Sequence, residues 1–154
     1  MTFDRDLLEQ YHQLLCTTRL ADGYGEFVRL FRFLRVQMEK ELPDHTFEAG
    51  ITENAMDYSY FQCTCPALKS QGLKLTVVFV HRTFSLEVWL SGYNRAQQCR
   101  WHEQLRGLPF AMAQNPARQD YILRVPVPEA DLGDGDGLVQ KLRDTVALIE
   151  DSIH

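Results

Sequence analysis

The chain has 154 residues, 45% hydrophobic and 24% charged, with a formal net charge of −5. That length suits one domain over residues 1–154 with a single core, and the acidic balance argues against nucleic acid as the main partner. No apolar run reaches the ~20 residues of a membrane helix, and Asp4, Asp6 and Glu9 make the start unlike a signal peptide.

Leu7, Leu8, Tyr11, Leu14 and Leu15 follow helical spacing and predict a first helix over 3–18, broken by Ala21-Asp22-Gly23. A second helix is expected from Tyr24 to Leu42, with Phe27, Leu30, Phe31, Leu34 and Met38 as a broad apolar stripe and Pro43 as its stop. Thr46 to Thr52 reads as a first strand with Phe47, Ala49 and Ile51 inward, and Asp57 to Cys63 as a second. In that second strand Tyr58, Tyr60 and Gln62 share the face opposite Asp57, Ser59, Phe61 and Cys63. Pro66 to Gln71 forms one helical turn stopped by Gly72.

Leu73 to Gly92 is the most β-prone stretch. Leu73, Leu75, Val77 and Phe79 alternate with Lys74, Thr76, Val78 and Val80. Past Arg82-Thr83, Phe84, Leu86, Val88 and Leu90 alternate with Ser85, Glu87, Trp89 and Ser91. A two-residue turn at Arg82-Thr83 places Phe79 opposite Leu86 and Val77 opposite Val88, so both apolar sets fall on one face. Asn94 is an N-cap for a helix through Leu105 that ends at Gly107. Residues 108–120 are irregular, Tyr121 to Val127 is an edge strand because of Pro126, and the last helix spans 137–152. The expected fold is α+β: a four- to five-stranded antiparallel meander with helices packed mainly on one face, in the order α-α-β-β-β-β-α-β-α.

Extending the register places Asp57 opposite His81 at one end of the sheet. A carboxylate beside an imidazole can orient the ring and raise its pKa, which makes the pair the candidate catalytic site. The opposite face projects Tyr58, Tyr60, Lys74, Thr76, Glu87 and Trp89, a mixture suited to a small ligand or a second subunit. Asn94 and Arg95, at a helix start that follows the fourth strand, extend that face. Arg29, Arg32 and Arg35 read as a solvated flank. No metal or cofactor motif emerges. Cys63-Thr64-Cys65 has the wrong spacing for a zinc knuckle, and Asp134-Gly135-Asp136-Gly137 lacks the later ligands of a calcium loop. Cys16, Cys63, Cys65 and Cys99 are expected to be free thiols in a reducing cytoplasm.

The segments Asp57-Tyr58-Ser59-Tyr60-Phe61, Val78-Phe79-Val80-His81 and the cluster Glu87-x-Trp89-Leu90-x-Gly92-x-Asn94 carry a resemblance over about residues 24–105. They resemble a small bacterial family labelled only as a domain of unknown function. That resemblance implies a cytoplasmic bacterial protein and transfers no catalytic residue. The element order is also similar to the core of restriction-endonuclease-like nucleases, but Glu87 is followed by Val88 and Trp89 where those enzymes need a lysine, and Asp57 and Glu87 fall on opposite faces. The expected function is a non-enzymatic ligand-binding or protein-interaction module built on Tyr58, Tyr60, Glu87, Trp89, Asn94 and Arg95, with a small molecule or a homodimer partner as the occupant. The alternative is a hydrolase centred on Asp57 and His81.

Overall fold

A period-two alternation along the central strands sets the architecture of this computed structural model, which describes residues 1–153. The chain runs through α1 (Arg5–Thr17), α2 (Leu20–Glu41), β1 (Thr46–Phe47), β2 (Thr52–Asn54), β3 (Tyr58–Thr64) and α3 (Pro66–Lys69). It continues through β4 (Leu73–Val80), β5 (Ser85–Gly92), α4 (Arg95–Gln104), β6 (Ala111–Met112), β7 (Leu123–Pro126) and α5 (Gly135–Ile153). The sheet is antiparallel and open, in the order β1-β3-β4-β5-β7-β6, with β2 also paired to β3. It has seven strands rather than four or five.

The β4–β5 register is the expected one: Phe79 faces Leu86 and Val77 faces Val88. The connection differs. The strands end at Val80 and Ser85, the Phe84 N–H donates to the His81 carbonyl, and Phe84 has a φ of 54°. The loop is thus four residues long and built round a β-turn, a form that Arg-Thr tolerates better than the Gly/Asn-dependent two-residue turn.

Leu73, Leu75, Val77, Phe79, Leu86, Val88 and Leu90 face inward. They pack against Phe31, Leu34 and Met38 of α2 and Leu138, Leu142, Val146 and Ile149 of α5. Among the described residues, no helix is long and apolar enough to cross a membrane.

Several boundaries move for identifiable reasons. Ala21-Asp22-Gly23 does not break a helix but lies inside the first turn of α2, where the Gly23 N–H donates to the Arg19 carbonyl. The break falls at Thr18, whose hydroxyl accepts from the Leu20 N–H. The expected strand over 46–52 is two strands. Thr46 pairs with Thr64 and Thr52 with Tyr60, and the Glu48 N–H donates to the Gln62 carbonyl. Ala49, Gly50 and Ile51 together oppose Phe61, so the strand bulges there. Arg35 of α2 donates to the freed Glu48 and Ala49 carbonyls at 3.3 and 3.0 Å. Phe47 and Ile51 still pack against the core, whereas Ala49 is exposed. β7 is not the edge strand, because β6 pairs beyond it through Ala111 and Met112. That pairing stops before Pro126, so the missing N–H of the proline leaves no ladder bond unmade. Finally, α1 buries no residue and leaves Leu7, Leu8, Tyr11 and Leu14 exposed.

Candidate functional site

Among the described residues, no helix covers the outer sheet face. Its cross-strand rows follow from the register. Gln62, Thr76, Trp89 and Arg124 form one row across β3, β4, β5 and β7; Tyr60, Val78 and Glu87 form the next; Lys74 and Ser91 begin a third. The start of α4 and the segment 118–121 rise beside these rows and enclose a cavity of about 700 Å³. That volume falls in the usual range for small-molecule sites, about 300–1,000 Å³.

The floor is aromatic. Trp89, 8% exposed, lies between Tyr58 at 5.8 Å and Tyr121 at 5.0 Å between ring centroids. Behind it Glu87, 5% exposed, accepts three hydrogen bonds and makes one further ion-pair contact. Arg124 donates one of them from Nη2 to Oε2 at 2.7 Å, and its Nε lies 2.7 Å from Oε1 as the ion-pair contact. The Trp89 indole N–H reaches Oε1 at 2.9 Å and the Ser85 hydroxyl reaches Oε2 at 3.1 Å. Glu87 is therefore saturated, and its role is to hold Arg124 in place. The hydrogen bond to Glu87 raises the Arg124 pKa further, so the guanidinium stays charged. It stacks over the Trp89 and Tyr121 rings at 5.4 and 5.6 Å.

The wall is built by hydrogen bonds from α4. Asn94 caps the helix by accepting from the Gln97 N–H at 2.9 Å. Buried Gln98 donates to the Pro116 and Gln119 carbonyls at 2.8 and 2.5 Å. Arg95 donates to the Gln119 carbonyl and pairs with Asp120 at 2.9 Å. The close approach of α4 to β5 needs glycine at 92, where a Cβ would stand 2.6 Å from the Gln98 nitrogen.

The named positions of the Glu87-x-Trp89-Leu90-x-Gly92-x-Asn94 cluster thus each have a physical role. Glu87 anchors the guanidinium, Trp89 floors the cavity, Leu90 fills the core, Gly92 permits the close approach and Asn94 caps the helix. Residues 4–154 match the family described as Domain of unknown function (DUF7000). The chain belongs to that family. The DUF7000 match extends well beyond the 24–105 span carrying the sequence resemblance. No curated protein and no solved structure matches the chain.

In this DUF7000 chain, Tyr58, Tyr60, Trp89, Asn94 and Arg95 all line the cavity, with Glu87 directly behind. Sequence reading overlooked Arg124, Arg118 and Tyr121. Arg124 could have been found from the strand alternation, which puts it beside Trp89, but Arg118 lies in an aperiodic loop with no such signal.

Asp57 and His81 lie at the end of the sheet, on the shallow second depression formed with Asn54, Ala55, Met56 and Arg82. Their backbones pair as expected, His81 N–H to the Asp57 carbonyl at 3.0 Å. Their side chains do not form the expected dyad. The His81 Nε2 lies 2.9 Å from the Ser59 hydroxyl, and the ring packs on Phe27 and Phe79 at 4.6 and 5.1 Å. Burial lowers the imidazole pKa below its ordinary value, and the opposing charges of Glu53 and Asp57 do not reverse that, so the expected rise is a fall.

Proposed function

We propose that the DUF7000 chain is a non-enzymatic binding protein whose outer sheet face takes a small anionic ligand carrying a planar ring. One observation carries this reading. Lys74, Arg95, Arg118 and Arg124 line the cavity against a single lining carboxylate, Asp120, in a chain whose net charge is −5. Asp120 pairs with Arg95 and Glu87 with Arg124, while among the described residues Lys74 and Arg118 make no ion pair. Two cations without a carboxylate partner, Lys74 lying over the Tyr93 ring at 5.8 Å, and an aromatic floor suit an anionic head joined to a flat ring. No histidine lines the cavity among the described residues, and the Ser91 hydroxyl is engaged with the Asp120 carbonyl at 2.7 Å. Both features support binding over acid–base chemistry. The four free thiols support a reducing cytoplasm as its location.

The hydrolase reading has the Ser59–His81 contact in its favour. Ser59 is only 1% exposed, so its hydroxyl cannot meet a substrate without displacement of the strand.

The test is tryptophan fluorescence and thermal unfolding with nucleoside monophosphates, aromatic carboxylates and their uncharged parents. Anionic members should quench Trp89 and raise the melting temperature, with the parents binding roughly tenfold or more weakly. The Lys74→Ala/Arg118→Ala double variant should lose that discrimination and keep its melting temperature. No shift with any anionic planar compound, together with a dimeric mass that Tyr60→Arg returns to monomer, would instead assign the face to a second copy of the chain.

A further inference from the structure

A second constellation lies on the inner, helix-covered side of the sheet and is independent of the cavity. The β1–β3 register that pairs Thr46 with Thr64 and Phe47 with Cys63 brings His45 opposite Cys65 when extended by one residue. Residues 45 and 65 share the inward parity of Phe47 and Cys63, and α5 lays Glu150 against them. One ligand atom from each of His45, Cys65 and Glu150 lies within 4.8 Å of the others. The His45 Nε2 is 2.5 Å from the Glu150 carboxylate. The imidazole is also buried, its side chain only 8% exposed, and its Nδ1 has no hydrogen-bond partner among the described residues.

We propose that His45, Cys65 and Glu150 bind a zinc-like divalent transition ion. Imidazole, thiolate and carboxylate are a borderline-soft set suited to such an ion, whereas calcium and magnesium require oxygen ligands. Tetrahedral coordination at zinc bond lengths separates donors by about 3.5 Å, a small adjustment within the observed cluster. Charge also balances. Binding releases the Cys65 thiol proton to solvent, and thiolate plus carboxylate then neutralise the dication. Three protein ligands leave a fourth position for water, and the carboxylate side, partly exposed at 25%, provides the entry. Motif spacing could not reveal the set, since its members lie far apart along the chain, just before β1, at the N-cap of α3 and within α5.

The test is titration of the full-length, reduced protein with cobalt(II). One equivalent should produce a thiolate-to-metal charge-transfer band that zinc displaces. The band should vanish in Cys65→Ser and persist in Cys16→Ser and Cys99→Ser. Cys65 occupies the N-cap position of α3 without making a side-chain cap bond, and serine is favoured there, so Cys65→Ser should fold. His45→Ala should weaken cobalt binding by about tenfold or more. Absence of a one-equivalent band, or its persistence in Cys65→Ser, would overturn the site and leave His45 and Glu150 as a plain ion pair.

Discussion

Arg124 and Glu87 form a two-point ion pair beside the Trp89 ring, with both nitrogen–oxygen distances at 2.7 Å. Glu87 is almost wholly buried and Arg124 partly so, which makes the two substitutions unequal. Arg124→Gln strands a buried carboxylate and is expected to cost about 3–5 kcal/mol. Glu87→Gln leaves a guanidinium that can still reach water and is expected to cost about 2–3 kcal/mol. Urea unfolding of both singles and the double should give a coupling energy above about 1 kcal/mol. Additivity within about 0.5 kcal/mol would show that the pair is not a unit.

The β2–β3 turn stores backbone strain. The Asp57 N–H donates to the Asn54 carbonyl at 2.8 Å, and the two central residues, Ala55 and Met56, have φ of 47° and 60°. That is the type I′ geometry that Asn-Gly adopts without penalty. The pair Ala55→Asn and Met56→Gly is expected to stabilise the protein by about 1–2 kcal/mol, read as a melting temperature several degrees higher. A lower melting temperature would mean that the exposed Met56 side chain contributes contacts that outweigh the strain.

His81 makes stability depend on pH. Its neighbours are Tyr24 and Phe27 of α2, Phe79, the Ser59 hydroxyl, and the carboxylates of Glu53 and Asp57. Burial lowers its folded-state pKa, so between the folded and unfolded values the unfolded chain holds more protons and stability rises with pH. The contribution is present above the unfolded pKa of about 6.5 and is lost as pH falls from there through the folded value. Urea midpoints compared at pH 7.5 and 5.5 should therefore drop more for the wild type than for His81→Gln. Equal drops would assign the acid sensitivity to other groups.

Period two is readable in the sequence because burial of one face enforces it, and the β4–β5 and β3–β4 registers emerge with their side-chain parity intact. Parity alone also separates Tyr58, Tyr60 and Trp89 from the core. What fails to show is set by tertiary contact. The bulge at 49–51 depends on Arg35 donating to the stray carbonyls, and Arg35 lies in another element. The cavity wall around Arg118 and Gln119 has no periodicity and is held by Gln98, buried through bonds to backbone carbonyls. Asp57 and His81 do stand opposite each other, yet aromatic packing and the Ser59 hydroxyl, rather than the Asp57 carboxylate, take up the His81 ring.

Gly92 joins sheet and site, and its replacement is the sharpest test of how the cavity is built. A Cβ there would meet the Gln98 nitrogen at 2.6 Å and its Cα at 2.9 Å, both backbone atoms that cannot swing aside. Gly92→Ala must push the start of α4 off β5, at a cost of about 1–3 kcal/mol. The displacement would carry Arg95 and Gln98 with it and loosen their hold on residues 116–120. Ligand affinity should therefore fall along with stability, although residue 92 contributes no side chain to the site. Gly107→Ala is the control, because that glycine has a φ of 99° and open space around it, so strain is introduced away from the wall. If Gly92→Ala and Gly107→Ala lose stability alike but only the former loses binding, the β5–α4 approach sets the geometry of the cavity. Retained affinity in Gly92→Ala would show that the wall adjusts independently of the helix.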